Sequence, residues 1–173
     1  MLRPLLLATL LDLASVAGAP QAQAPAFSSY PAGRIYTGVK VAPRLRPGTA
    51  AWRYRTVIRE GYKNNPVNFA GNYVVLSWGC GSPCQAYAIV DARTGKVFFS
   101  EFQTSFGAAF HPDSRLFVAN LPLSSNDSCD SVPEWACAER STDYYRWNGQ
   151  RLTLVATVPG HQTPPPADTT PSR

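Results

Sequence analysis

The chain has 173 residues, 16 basic and 11 acidic side chains, a formal charge of +5 and 45% hydrophobic residues. Its apolar run at 5–11 is far short of the ~20 residues that a bilayer-spanning helix needs. Helix-turn-helix, paired zinc-ligand and aromatic RNA-binding patterns are absent, so no nucleic-acid partner is expected.

The first 24 residues read as a signal peptide. Met1-Leu-Arg-Pro gives a short positive start, residues 5–11 an apolar run, and Ala-x-Ala patterns follow at Ala17, Ala22 and Ala24. The expectation is export to a periplasmic or extracellular compartment, with no transmembrane segment in the mature form. No cysteine lies near the cleavage region, which argues against a lipid anchor. Residues 25–48, rich in proline, glycine and arginine, form an extended lead-in with a short strand expected at 34–41. Residues 49–160 form the single domain, and a chain of that size supports a real core. Residues 161–173 carry nothing larger than alanine or proline to bury, which predicts a disordered proline-rich tail.

A helix is expected over 50–63, capped by Thr49 and closed by Gly61 and Asn64-Asn65-Pro66. Ala51, Tyr54, Ile58 and Tyr62 recur at intervals of three and four, the pattern of a helix packed on a sheet. Strands follow at 73–78, 85–91, 96–102, 116–120, 143–147 and 150–158, rich in tyrosine, isoleucine and valine. Ala92-Arg-Thr-Gly95 and Asn148-Gly149 each close a hairpin. His111-Pro-Asp-Ser-Arg115 is a turn that launches the fourth strand. The predicted fold is α+β: a mostly antiparallel sheet of five to six strands, meandering and blade-like, with one N-terminal helix on it.

Four cysteines in an exported chain point to two disulfides. Three pairings exist, and proximity favours Cys80–Cys84 and Cys129–Cys137, each closing a small loop worth about 2–3 kcal/mol. A thiol-disulfide site at Cys80/Cys84 is the competing reading. Against it, reactive pairs are usually Cys-x-x-Cys at a helix start, and this pair is one residue wider and follows a strand. Zinc is disfavoured by the gap between Cys129 and Cys137, and no metal or cofactor is expected.

His111 is the sole ordinary candidate for proton transfer outside the tail. A hydrolase triad can be drawn from Ser105, His111 and Asp113, but no nucleophile motif supports it. Glu101, Glu134 and Glu139 offer carboxylates with no pairing that singles any out. Binding is the stronger reading. Trp78, Trp135, Tyr144, Tyr145 and Trp147 lie in or beside the cysteine loops and last hairpin, with Trp78 and Tyr145 expected in the core and Trp135 partly exposed. Trp135, Tyr144 and Trp147 are the aromatic candidates for a contact patch, with Arg53 and Arg59 as basic candidates. The early cluster Arg34, Lys40, Arg44, Arg46, Arg53, Arg55 and Arg59 contrasts with later acids Asp127, Asp130, Glu134, Glu139 and Asp143. That two-signed pattern is suited to steering an anionic envelope polymer or an envelope protein.

Asn68-Phe-Ala-Gly-Asn-Tyr73, Trp78-Gly-Cys-Gly-x-x-Cys84 and Ile89-Val-Asp-x-x-Thr-Gly-Lys-Val97 resemble a group of exported bacterial proteins of unknown function. These share a Phe-Ala-Gly…Trp-Gly-Cys-Gly-x-x-Cys core behind a short helix. The likeness spans roughly 52–155 and implies an exported, disulfide-bearing domain without adding an activity. In that group the position of Asn72 is often histidine, so no metal or proton-transfer role carries over. His111-Pro-Asp-Ser-Arg-Leu-Phe-Val118 also resembles the strand entry of a β-propeller repeat, although one such unit cannot close a propeller.

Overall fold

In the computed structural model residues 24–121 and 141–159 are described. Residues 1–23, the proline-rich stretch 161–173, Cys129, Cys137, Glu134, Trp135 and Glu139 lie outside the described residues. The described chain is mostly antiparallel β with short helices, α+β in class, and its strands divide into two sheets. No helix among the described residues is long and apolar enough to cross a membrane.

The first sheet is a meander of β1 (Tyr73–Gly81), β2 (Cys84–Asp91) and β3 (Val97–Thr104). The second runs β4 (Ala108–Phe110), β5 (Leu116–Ala119), β6 (Ser141–Trp147) and β7 (Leu152–Pro159). Among the described residues seven strands in two sheets therefore stand where one sheet of five to six strands is expected from the sequence. The addition is β4, three residues long and paired with β5 in the register Ala109↔Val118. The predicted strand at 34–41 is absent. The lead-in instead donates single backbone hydrogen bonds from Tyr36 to Gly71, Val41 to Ala92 and Arg44 to Gly95, at 2.7, 2.9 and 2.7 Å.

Both faces of β1 are covered. Val75 packs with Phe69, Tyr87, Ile89, Phe117 and Trp147 between the two sheets. Val74 and Leu76 instead meet Ala51, Ile58 and Tyr62 of the helices. That explains why residues 73–76 are apolar without alternation, since strands buried on both faces lose the polar half of the pattern. The outer face of the second sheet is covered by the lead-in, where Phe27 packs on Leu116, Val118 and Tyr144. Ser114 Oγ fixes that contact by donating to Phe27 O at 2.8 Å. The lead-in thus contributes to the core as well as lying on the surface.

The expected continuous helix is two segments, α1 (Ala50–Arg53) and α2 (Arg55–Asn64). Tyr54 interrupts them at φ −102°, ψ 17°. Its N–H turns to Ala51 O, three residues back, at 3.2 Å, while its ring packs on Trp78 and Phe99 at 5.1 and 5.3 Å. Thr49 makes no side-chain cap; its hydroxyl donates to Arg46 O at 2.7 Å and closes the preceding turn. At the other end Lys40 Nζ donates to Tyr62 O and Asn65 O. A cation on the last carbonyls of a helix is favourable both as a hydrogen-bond donor and against the helix dipole.

Candidate functional site

The candidate site is a groove along β3, which with β1 is one of the two outer strands of the first sheet among the described residues. Its position follows from three local structures. A parallel bridge between Arg44 and Lys96 brings the lead-in to the start of β3. From there the chain turns at Thr49 into α1, on one side of the edge. The β6–β7 connection lies on the other, and its Asn148 Oδ1 accepts from Gln150 N and Arg151 N, both at 2.9 Å. This four-residue connection, 148–151, replaces the two-residue turn expected at Asn148-Gly149, with Gly149 at φ +95°.

The basic half of the groove has a cavity of about 710 Å³, with Arg44, Arg46 and Lys96 among its lining residues and Tyr73, Phe98 and Phe99 behind them. The three cations are exposed and the three rings half-buried, so charge forms the rim and aromatic surface the wall. Val97, Phe98 and Phe99 also line a second cavity of about 420 Å³, shared with Phe102, Tyr145 and Leu152 and with the polar Gln150 and Arg151. Successive strand residues face opposite sides of a sheet. Accordingly Val97 and Phe99 pack toward the helices, and Phe98 and Phe102 toward the second sheet.

Electrostatically the groove is dominated by its cations. Among the described residues Asp91 is the one carboxylate on the lining of the basic half, and it is already committed. Its oxygens accept from Asn72 Nδ2, Arg93 N and Thr94 Oγ1 at 2.9, 2.8 and 2.9 Å. Lys96 Nζ lies 4.6 Å from the Phe98 ring centroid, close enough for the ring face to hold the ammonium by cation–π attraction.

Burial pushes the Tyr62, Tyr87, Tyr144 and Tyr145 hydroxyls above the ordinary tyrosine range, with Asp91 adding to the effect at Tyr62 and Asp143 at Tyr145. Each then binds its proton more tightly folded than unfolded. Their contribution is complete below about pH 10, the unfolded tyrosine value, and is lost as pH rises above it. Alkaline titration followed by phenolate absorbance and circular dichroism is expected to show some of the eight tyrosines ionising only as the fold is lost. Simultaneous ionisation of all of them with the fold intact would contradict this.

The structure distributes the sequence-predicted site residues differently from the expectation. Tyr144 is fully buried and Trp147 is 2% exposed, so neither ring is free on the surface. They are three apart on one strand and therefore point to opposite faces: Tyr144 joins the core under Phe27, Trp147 the core between the sheets. Trp78 and Tyr145, expected in the core, are half-buried at its margins. Arg53 and Arg59 are exposed on the helices and do not line the groove; the Arg59 guanidinium lies 5.8 Å from the Trp52 ring.

Cys80 and Cys84 are joined as a disulfide. It staples the β1–β2 turn, with strand on either side and no helix start at either thiol. His111 stacks on Phe27 with centroids 4.0 Å apart. Ser105 meets Asn120 instead, its backbone N–H donating to Oδ1 at 2.9 Å, and no hydrogen bond joins Ser105, His111 and Asp113 as a triad. Of the groove residues, Arg44 and Arg46 stand in the basic cluster read from the sequence without being singled out as site residues, and Lys96, Phe98 and Phe99 were missed. The available signal was Val97-Phe-Phe, an apolar run at a strand start without polar alternation. No protein-family model, curated protein or solved structure matches this chain.

Proposed function

We propose that this protein is an exported, non-catalytic binding domain that holds an anionic partner of the cell envelope in the groove along β3. The observation that carries the reading is the pairing of an exposed Arg44/Arg46/Lys96 rim with a Tyr73/Phe98/Phe99 wall, beside a carboxylate that is already hydrogen-bonded. Arginine presents a planar fork of donors that matches carboxylate and phosphate oxygens, and aromatic surface behind it supplies area at low entropic cost. The leader-like first 24 residues and the Cys80–Cys84 staple support an oxidising, exported setting.

The test is calorimetric titration with polyglutamate and with polyphosphate at low and physiological salt. Wild-type protein is expected to bind at least one of them with affinity that falls as salt rises, because the rim charges are exposed to screening. The Arg44→Glu/Arg46→Glu double variant is expected to lose at least tenfold with unchanged melting temperature. Affinity indifferent to that double charge reversal would remove the groove as the binding site. Export is checked separately by fusing residues 1–24 to a reporter that is active only outside the cytoplasm.

A further inference from the structure

We infer that a small oxyanion, a phosphate or a short carboxylate, binds in a second site beside the groove, between the Arg115 guanidinium and the Trp147 indole. A cavity of about 220 Å³ lies there, with Asn72, Tyr73, Arg115, Trp147 and Asn148 among its lining residues. It adjoins the groove through Tyr73 and Gly149, but none of the groove's three cations lines it. The inference therefore stands apart from the anionic-groove reading.

Local structure brings these residues together. β5 and β6 pair Leu116 with Arg146, and one step along, Trp147 N donates to Arg115 O at 2.8 Å. The turn before β1 is docked on the turn before β5, where Ala70 N donates to Ser114 O at 3.1 Å and Gly71 N to Pro112 O at 2.7 Å. Ala70 also lines the cavity, and its φ is +46°. A non-glycine residue in the left-handed region is strained, and such strain collects at binding sites.

The Trp147 indole is the group that points to a ligand. It is 2% exposed, and its Nε1 is buried with no hydrogen-bond partner. Buried polar groups are nearly always paired, and an indole N–H only donates, so the group it calls for is an acceptor. Trp147 also borders the 420 Å³ cavity, whose wall is mainly apolar; further donors gather on the 220 Å³ side. The Arg115 guanidinium is exposed and makes no ion pair or hydrogen bond among the described residues. Asn148 Oδ1 is taken by Gln150 N and Arg151 N, which leaves its amide hydrogens to donate. Among the described residues no carboxylate lines the cavity; Asp91 meets the lining at Asn72, whose Nδ2 donates to it at 2.9 Å. A guanidinium matches phosphate and carboxylate oxygens, and these donors together select an anion. The volume is several times the ~30 Å³ that a water molecule occupies in the liquid, which suits a small oxyanion.

The probes are sodium phosphate, sodium acetate and phenyl phosphate, titrated into the isotope-labelled full chain at constant ionic strength. The readout is the Trp147 indole N–H, one of four indole resonances. Its contacts to the Tyr73 and Phe98 rings, 5.2 and 5.1 Å away, identify it without a variant of Trp147. The resonance is expected to move downfield and saturate with phosphate or acetate. Arg115→Gln is expected to weaken the response at least tenfold, with the melting temperature unchanged. Arg44→Glu/Arg46→Glu is expected to leave it within about twofold, because salt screens exposed charges that do not line the cavity.

Phenyl phosphate binding like phosphate supports recognition of a terminal group on a larger molecule, and its exclusion supports a free ion. A Trp147 indole that no probe moves, or that moves equally in Arg115→Gln, would overturn the site. Loss of the response in Arg44→Glu/Arg46→Glu would overturn it as a site separate from the groove.

Discussion

Phe69→Ala is expected to lower the unfolding free energy by about 3–5 kcal/mol, the range for truncating a buried phenylalanine where the surroundings cannot close the gap. Phe69 is fully buried. Its ring lies 6.1 Å from Phe110, 6.1 Å from Phe117 and 6.2 Å from Trp147, meeting the first two edge-on. These partners belong to three strands of the second sheet, while Phe69 lies four residues before Tyr73, the first residue of β1. Its backbone is fixed as well, because Phe69 N donates to Tyr73 O at 3.1 Å and Tyr73 N donates to Phe69 O at 2.9 Å. The ring therefore cannot shift without disturbing the start of β1, and a cavity is left between the sheets. Small domains have about 5–15 kcal/mol of stability in total, so the loss is large. Urea denaturation measures it, with Val39→Ala as the control at a position 90% exposed. A loss below about 1 kcal/mol for Phe69→Ala would mean that the sheets do not pack through this ring.

Gly95→Ala is the second large effect, and it connects stability to the groove. Gly95 closes the β2–β3 turn at φ +70°, where a Cβ would lie 2.1 Å from Ala42 O. A non-glycine residue in this left-handed region costs roughly 1–2 kcal/mol before any clash. The clash here is with backbone, so relief requires the lead-in to move off the turn. That breaks the hydrogen bond from Arg44 N to Gly95 O and displaces the segment carrying Arg44 and Arg46. The variant is expected to lose about 3 kcal/mol or more and at least tenfold in polyanion affinity. Gly79→Ala, whose Cβ would meet nothing within 4 Å, serves as the control and is expected to be close to neutral. A Gly95→Ala protein that melts and binds like wild type would contradict the placement of the lead-in.

Much of the local structure was legible in the sequence because it rests on short-range chemistry. The Thr-Gly turn after Asp91, the β-rich runs, the helical spacing of Ile58 and Tyr62, and the Cys80–Cys84 staple all depend on residues a few positions apart. What escaped depends on distant partners. Residues 73–76 and 116–119 lack polar alternation, which signals cover on both faces but not what supplies it. In the structure that cover is the helices and second sheet for one, and the first sheet and Phe27 for the other. The β4 strand is too short for any periodicity to show. Tyr54 fits the helical pattern but leaves the helix where its ring packs with Trp78 and Phe99. The groove was hidden for the same reason: Arg44 and Arg46 become rim residues through the bridge to Lys96, about fifty positions along the chain.

The most direct test of the central claim, that the groove along β3 holds an anionic partner, is a map of backbone amide resonances during titration of the full chain with polyglutamate. The largest shifts are expected at Arg44, Arg46 and Val97 to Phe99, with smaller ones at Gln150 and Leu152 across the groove. Shifts concentrated at the Cys80–Cys84 turn or on the α2 arginines, with β3 unmoved, would contradict the account and place binding on another surface.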